Sequence, residues 1–226
     1  MYSLNNQEAE GLKENAEERA HRSIIQLIVT NQYRPGDFLL ELDIAAKLNM
    51  SRTPVSRALA RLVSEGFLNK MPKKGCYIPL PTPEDAEQVF SARRVVEGEA
   101  AGRAALLATD KDIAWLQSLV VEDRKAVQNR QRDLFSRINE NLHLGIAKMS
   151  QNAYLDKWIR NVFWRSNIYI FYFDNFYRST KSDIPQKTPM QHAAIVQAIA
   201  DRAPEEATRC MTAHIDQTYE ALLMGG

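Results

Sequence analysis

Three histidines, His143, His192 and His214, fall on three different predicted helices in the second half of the chain. Imidazole nitrogens are preferred ligands of first-row divalent metals. Three of them with an oxygen donor make a site for Zn2+ inside a helical bundle. Asn139 stands four residues before His143, on the same helix face, and offers that oxygen. Taken singly, each histidine reads as a satisfied helix residue; as a set they read as ligands. The fourth, His21, lies on the first predicted helix and reads as a surface residue.

A second chemistry lies in residues 50–62, Met-Ser-Arg-Thr-Pro-Val-Ser-Arg-Ala-Leu-Ala-Arg-Leu. Ser51 or Thr53 can cap a helix whose first turn accommodates Pro54. Val55, Leu59 and Leu62 form one apolar face. Arg52, Arg57 and Arg61 point elsewhere, and Ser51, Thr53 and Ser56 add hydroxyls. Such a helix suits a DNA major groove, its N-terminal residues reaching base edges and phosphates. Residues 47–80 hold seven Lys or Arg against one acid, Glu65, whereas residues 81–226 hold 18 basic and 19 acidic side chains. The local excess is what phosphate contacts require; the second part is not expected to touch DNA.

The elements that must position these residues follow from periodicity and punctuation. A helix is expected over Glu8–Gln32 with residues 1–7 disordered, then a short helix over Leu40–Leu48. The tight Asn49-Met50 link gives helix-turn-helix spacing. Gly66 ends the arginine-bearing helix. Residues 67–71 and 75–79 read as two strands around Pro72-Lys73-Lys74, a basic hairpin that adds Lys73 and Lys74 to the DNA-facing set. Pro79 to Asp85 is a joint, with Thr82 capping a new helix at Pro83. Helices are then expected over Pro83–Ala108, from Thr109 to about Ala126, over Arg130–Ser150 and over Asn152–Tyr177. A loop over Arg178–Pro189 is followed by a helix to about Ala200, started by a Thr188/Gln191 capping box. A last helix covers Pro204–Leu223. Nine aromatics fall between Trp158 and Tyr177 and suit either a pocket or a core and dimer interface.

The stretch Ser51-Arg52-Thr53-Pro54-Val55, with Ala58-Leu59, Leu62, Glu65-Gly66 and Lys74-Gly75, resembles the winged helix-turn-helix of GntR-type bacterial transcription regulators from about Ala20 to Ile78. Many members carry arginine after Val55, where this chain has Ser56. Arg57 lies about 100° further round the helix and does not substitute for it. Residues 83–223 resemble the all-helical FCD effector domain of the FadR branch of that family. Arg93 and Glu97, Asn139-x-x-x-His143, His192-x-x-Ile195-x-x-Ala198-Ile199, Asp201, Ala207, Met211 and His214 fit its pattern. The resemblance implies a divalent ion, zinc first with nickel or manganese as alternatives, on Asn139, His143, His192 and His214. A small carboxylate effector would complete the shell, with Arg93 and Arg165 as its partners. Asn139 stands where aspartate is usual, which removes a negative charge. Gln191 stands where glutamate is common and is expected to alter the shell around His192.

The expected architecture is therefore mainly α: a winged helix-turn-helix DNA-binding domain over 1–79, a linker over 80–84, and an all-helical effector-binding and dimerisation domain over 85–226. A homodimer on a palindromic double-stranded DNA operator, acting as a repressor, is the expected function. Two readings compete: a helical half that only dimerises, and a metal-dependent enzyme. No general base beside the histidines favours the enzyme. A net charge of +1 argues against a general nucleic-acid binder. Cys76 and Cys210 are too distant in sequence for a disulfide framework and fit a reducing cytoplasm. No signal peptide or membrane-spanning run is evident, so no membrane association is expected.

Overall fold

The computed structural model describes residues 15–30, 32–173 and 187–224. It divides into two compact units at Leu80/Pro81.

In the first unit, Asn15 begins α1 (Ala16–Val29), its side chain accepting from the Glu18 amide. This cap sets the start eight residues later than the expected Glu8; residues 1–14 lie outside the described residues. Ile24 and Ile28 turn inward. A two-residue strand, β1 (Phe38–Leu39), precedes α2 (Glu41–Leu48) and is too short to show any alternation in sequence. Asn49 takes the left-handed conformation at φ 50°, a role its short polar side chain tolerates, and turns the chain into α3 (Arg52–Ser64). Ser51 occupies the cap position of α3 but makes no side-chain capping bond. Val55, Ala58, Leu59 and Leu62 are buried on one side of α3, so the polar residues of its first turn face outward. After Gly66, at φ +79°, β2 (Asn69–Met71) and β3 (Gly75–Tyr77) form the hairpin. The sheet order is β1-β3-β2, all antiparallel, with Phe38 opposite Tyr77 and Met71 opposite Gly75.

His21 departs from expectation. It is buried, and its Nε2 lies 2.6 Å from Glu65 Oε2. Arg61 bonds the other Glu65 oxygen at 2.9 Å, so the end of α3 is tied to α1 and Arg61 faces away from the DNA-reading turn.

The second unit holds α4 (Pro83–Leu107), α5 (Asp110–Gln128), α6 (Arg132–Met149), α7 (Ala153–Phe173), α8 (Lys187–Ala200) and α9 (Pro204–Met224). Thr82 caps α4 and Thr109 caps α5 in a reciprocal box with Asp112. The long α4 packs against α6, α7, α8 and α9. Its alanines, with Gly98 and Gly102, allow close approach of α9, whose Thr208 donates to the Gly98 carbonyl at 3.0 Å. Asn152 is not the first helical residue of α7 but its cap, accepting from Tyr154 and Leu155 amides. Thr188 lies inside α8, which already includes Lys187, and so does not hold the cap position expected of it. Residues 178–186 of the expected loop lie outside the described residues.

Gly145 on α6 faces the Trp115 ring of α5. A Cβ at Gly145 would lie 2.4 Å from Trp115 Cζ3 and 2.6 Å from Cη2. Gly145→Ala must therefore displace a rigid indole two residues from His143. The expected loss is about 1–3 kcal/mol, read by thermal unfolding; an unchanged melting temperature would show that the indole moves freely.

Candidate metal centre and DNA-reading face

α6, α8 and α9 bring His143, His192 and His214 together. Each offers a ring nitrogen within 4.8 Å of the others. Ring centroids are 5.7 Å apart for His143–His192, 5.2 Å for His143–His214 and 4.8 Å for His192–His214. Two metal–nitrogen bonds of about 2.0–2.1 Å bring nitrogens within roughly 4 Å, so the imidazoles stand close to ligating distance. All three are buried.

Each Nδ1 is held from behind. His143 Nδ1 lies 2.5 Å from Glu97 Oε2, His192 Nδ1 2.8 Å from Asp123 Oδ2, and His214 Nδ1 2.8 Å from Gln191 Oε1. A carboxylate or amide oxygen can only accept here, so Nδ1 carries the proton and Nε2 keeps its lone pair. The Nε2 atoms of His143 and His192 are buried without a hydrogen-bond partner among the described residues. Buried polar atoms are normally satisfied, and leaving them unpaired costs roughly 1–3 kcal/mol each. Fixed tautomers, carboxylates behind the rings and orphaned lone pairs together form the donor arrangement of a metal-binding imidazole set. The residues fit a divalent ion.

Electrostatics agree. Burial depresses the His143 pKa, against the pull of Glu97; burial, then His192 and His143, holds His214 well below the ordinary range. Burial acts to raise Glu97, but Arg93 and His143 outweigh it and hold the carboxyl at about 2. Arg93 is itself buried, donating from Nε to Glu97 at 2.5 Å and from Nη1 to Ser166 at 2.9 Å. Both histidines resist protonation when folded, whereas unfolded imidazoles take protons as pH falls through about 6.5. Their contribution is present above that pH and lost below it; Glu97 adds a loss in the same direction from about 4.5 downward. Chelator-treated protein is thus expected to melt progressively lower from pH 7.5 to 5.5. A flat profile across that range would contradict neutral, buried imidazoles.

Asn139 lies half-buried one turn before His143. Arg165 is placed elsewhere: its Nε pairs at 2.8 Å with Asp85, in the first turn of α4, and Tyr169 donates to the same carboxylate. In this structure Arg165 thus makes an interhelical salt bridge within the helical unit. Gln191 likewise serves His214 and not His192. Of the aromatic run, Phe163 packs its ring 5.4 Å from His143, Trp164 and Tyr169 are buried, and Trp158 is exposed. The side chains of residues 171–177 lie outside the described residues. Asp123 was missed in sequence, though a signal exists: it sits in register with buried Leu116, Leu119, Val120, Ala126 and Val127. An acid on an apolar helix stripe requires a partner.

In the first unit, Ser51 is exposed at the cap position of α3, Arg52, Thr53 and Arg57 are exposed on the helix, Ser56 is half-buried, and Lys73 and Lys74 are exposed at the hairpin turn. Lys73 takes φ +64° and Gly75 φ +104°, which shapes that turn. Arg52 Nε donates to Glu41 Oε2 at 2.7 Å, and Ser56 Oγ to Glu41 Oε1 at 2.8 Å.

Residues 16–78 match the family described as bacterial regulatory proteins, gntR family, and residues 88–217 match the FCD domain. The chain belongs to the gntR family, FCD branch. It is a DNA-binding transcriptional regulator and not an enzyme. It is 28% identical over 197 residues to the Nta operon transcriptional regulator of Aminobacter aminovorans, covering 87% of this chain and 90% of that one. It is 23% identical over 201 residues to the HTH-type transcriptional repressor RspR of Escherichia coli strain K12, covering 89% and 84%. The fold is similar to that of E. coli McbR/YncC, with TM-score 0.79 at 21% identity over 94% of this chain and 99% of that one. A putative GntR regulator from Rhodococcus sp. RHA1 matches with TM-score 0.68 at 22% identity, over 93% and 98%. Among the described residues, no helix is long and apolar enough to cross a membrane.

Proposed function

We propose that this regulator is a homodimeric repressor of a palindromic operator, controlled by a small carboxylate that binds at a divalent ion in the helical domain. The orphaned, buried Nε2 atoms of His143 and His192, beside His214, carry this reading. His143, His192 and His214 would hold the ion with Asn139; zinc is the first choice, nickel or manganese the alternatives. When bound, the ion supplies a positive centre that attracts an anionic oxygen. Three neutral imidazoles and a neutral amide leave its charge uncompensated. Arg93, whose charge is felt at both His143 and His214, adds to the attraction. Arg165, engaged with Asp85, would have to leave that pair to join the effector.

Residues 1–79 would read DNA and residues 85–226 would bind effector and partner subunit, with residues 80–84 as the joint. Ser51, Arg52, Thr53, Ser56, Arg57, Lys73 and Lys74 would form the DNA-reading set. The relative named as a transcriptional repressor supports the negative sense of control. A thermal-shift screen of small carboxylates, with and without chelator, tests the effector site: a ligand raises the melting temperature by mass action. Stabilisation that vanishes with chelator is expected, and stabilisation indifferent to chelator would place the effector away from the histidines. Asn139→Asp, which restores a negative ligand, is expected to bind zinc more tightly; unchanged affinity would remove residue 139 from the shell.

A further inference from the structure

Glu41, the first residue of α2, contributes to a contact that folding does not account for. Its two carboxylate oxygens take one bond each from α3: Arg52 Nε at 2.7 Å and Ser56 Oγ at 2.8 Å. Arg52 and Ser56 are one helical turn apart, so a single carboxylate bridges the turn that faces DNA. The Arg52 side chain is 65% exposed and that of Glu41 35%. An ion pair this open adds little to stability. An acid on a face meant for phosphates also weakens general DNA binding. What the contact does supply is direction. An exposed arginine samples many rotamers, and ordering it on DNA costs entropy. The bond to Glu41 engages Nε and leaves Nη1 and Nη2, the paired donors that guanine O6 and N7 accept from.

We propose that Glu41 is a specificity-determining positioning residue, which fixes Arg52 toward one base pair and is itself braced by Ser56. This rests on Arg52 being a DNA-reading residue. Ser56, standing where many family members carry arginine, is half-buried against Glu41 and is accounted for by this bond.

The test uses full-length protein and a duplex selected from a randomised pool by the parent. Affinity for that duplex and for a scrambled duplex of equal composition is measured for parent, Glu41→Gln, Arg52→Ala and the double variant. Melting temperatures verify folding. Removing the carboxylate raises affinity for both duplexes alike through charge, so their ratio isolates positioning. Glu41→Gln is expected to lower the ratio roughly tenfold, with an unchanged melting temperature, and to have no further effect on it in the Arg52→Ala background. A ratio unchanged by Glu41→Gln, while Arg52→Ala lowers it, overturns the proposal. So does an equal loss in both backgrounds, which would mean that Glu41 acts independently of Arg52. A ratio unchanged by Arg52→Ala would refute the DNA-reading assignment itself.

Discussion

Replacing His143 and His214 together by alanine is expected to remove the divalent ion from the helical domain. The parent should carry about one ion per chain by elemental analysis, and the double variant none. Ligand loss goes beyond the roughly 10–100-fold that loss of a supporting partner costs. The second effect is on stability. An ion present at about 100 times its dissociation constant adds roughly 2.7 kcal/mol, about 5–10 °C in melting temperature for a chain of this size. Adding chelator should therefore lower the parent's melting temperature and leave the variant's unchanged. Glu97 supplies an internal control. It is buried between Arg93 and His143, and Glu97→Gln keeps its shape while weakening its hold on Nδ1, so metal affinity should fall without the ligands changing. Metal content that survives in the His143→Ala, His214→Ala protein would contradict the site.

Arg52→Ala is expected to weaken operator binding by about 1–3 kcal/mol, roughly 5- to 150-fold, with the fold intact. The side chain is open to solvent, and its ion pair with Glu41 is worth little to stability. A phosphate contact and a base contact are separable in the same experiment. Loss of a phosphate contact weakens all sequences alike and reduces the salt dependence by about one charge. Loss of a base contact relaxes the requirement at one position of each half-site. Equal operator affinity in variant and parent would take Arg52 off the reading surface.

The helix-turn-helix was legible because its signals are local. The spacing of Val55, Leu59 and Leu62, the stop at Gly66 and the lysine-rich turn each fall within a few residues of what they determine. The three-histidine cluster was legible in membership, through spacing on separate helices and resemblance to the family. The pairings of its supporting shell were not. Glu97, Asp123 and Gln191 lie 46, 69 and 23 residues from the histidines they hold, and no local pattern records such pairings. His21 shows the same limit: its partner Glu65 lies 44 residues away, so a polar residue on an amphipathic helix read as exposed. Arg165 was assigned by resemblance alone, and its pairing with Asp85, 80 residues away, was not legible in sequence. The start of α1 was misplaced for the opposite reason, since Asn15 is a local cap overlooked within a charged stretch.

Control of DNA binding from the histidine cluster is tested most directly by titrating a carboxylate found in the thermal-shift screen into metal-loaded protein, with and without saturating operator. Linkage requires that operator change effector affinity by the factor by which effector changes operator affinity, typically about 5- to 150-fold. A weaker effector affinity in the presence of operator, matched by weaker operator affinity in the presence of effector, is the predicted result for a repressor released by its ligand. Identical effector affinities in the two titrations would mean that the pocket does not govern DNA binding.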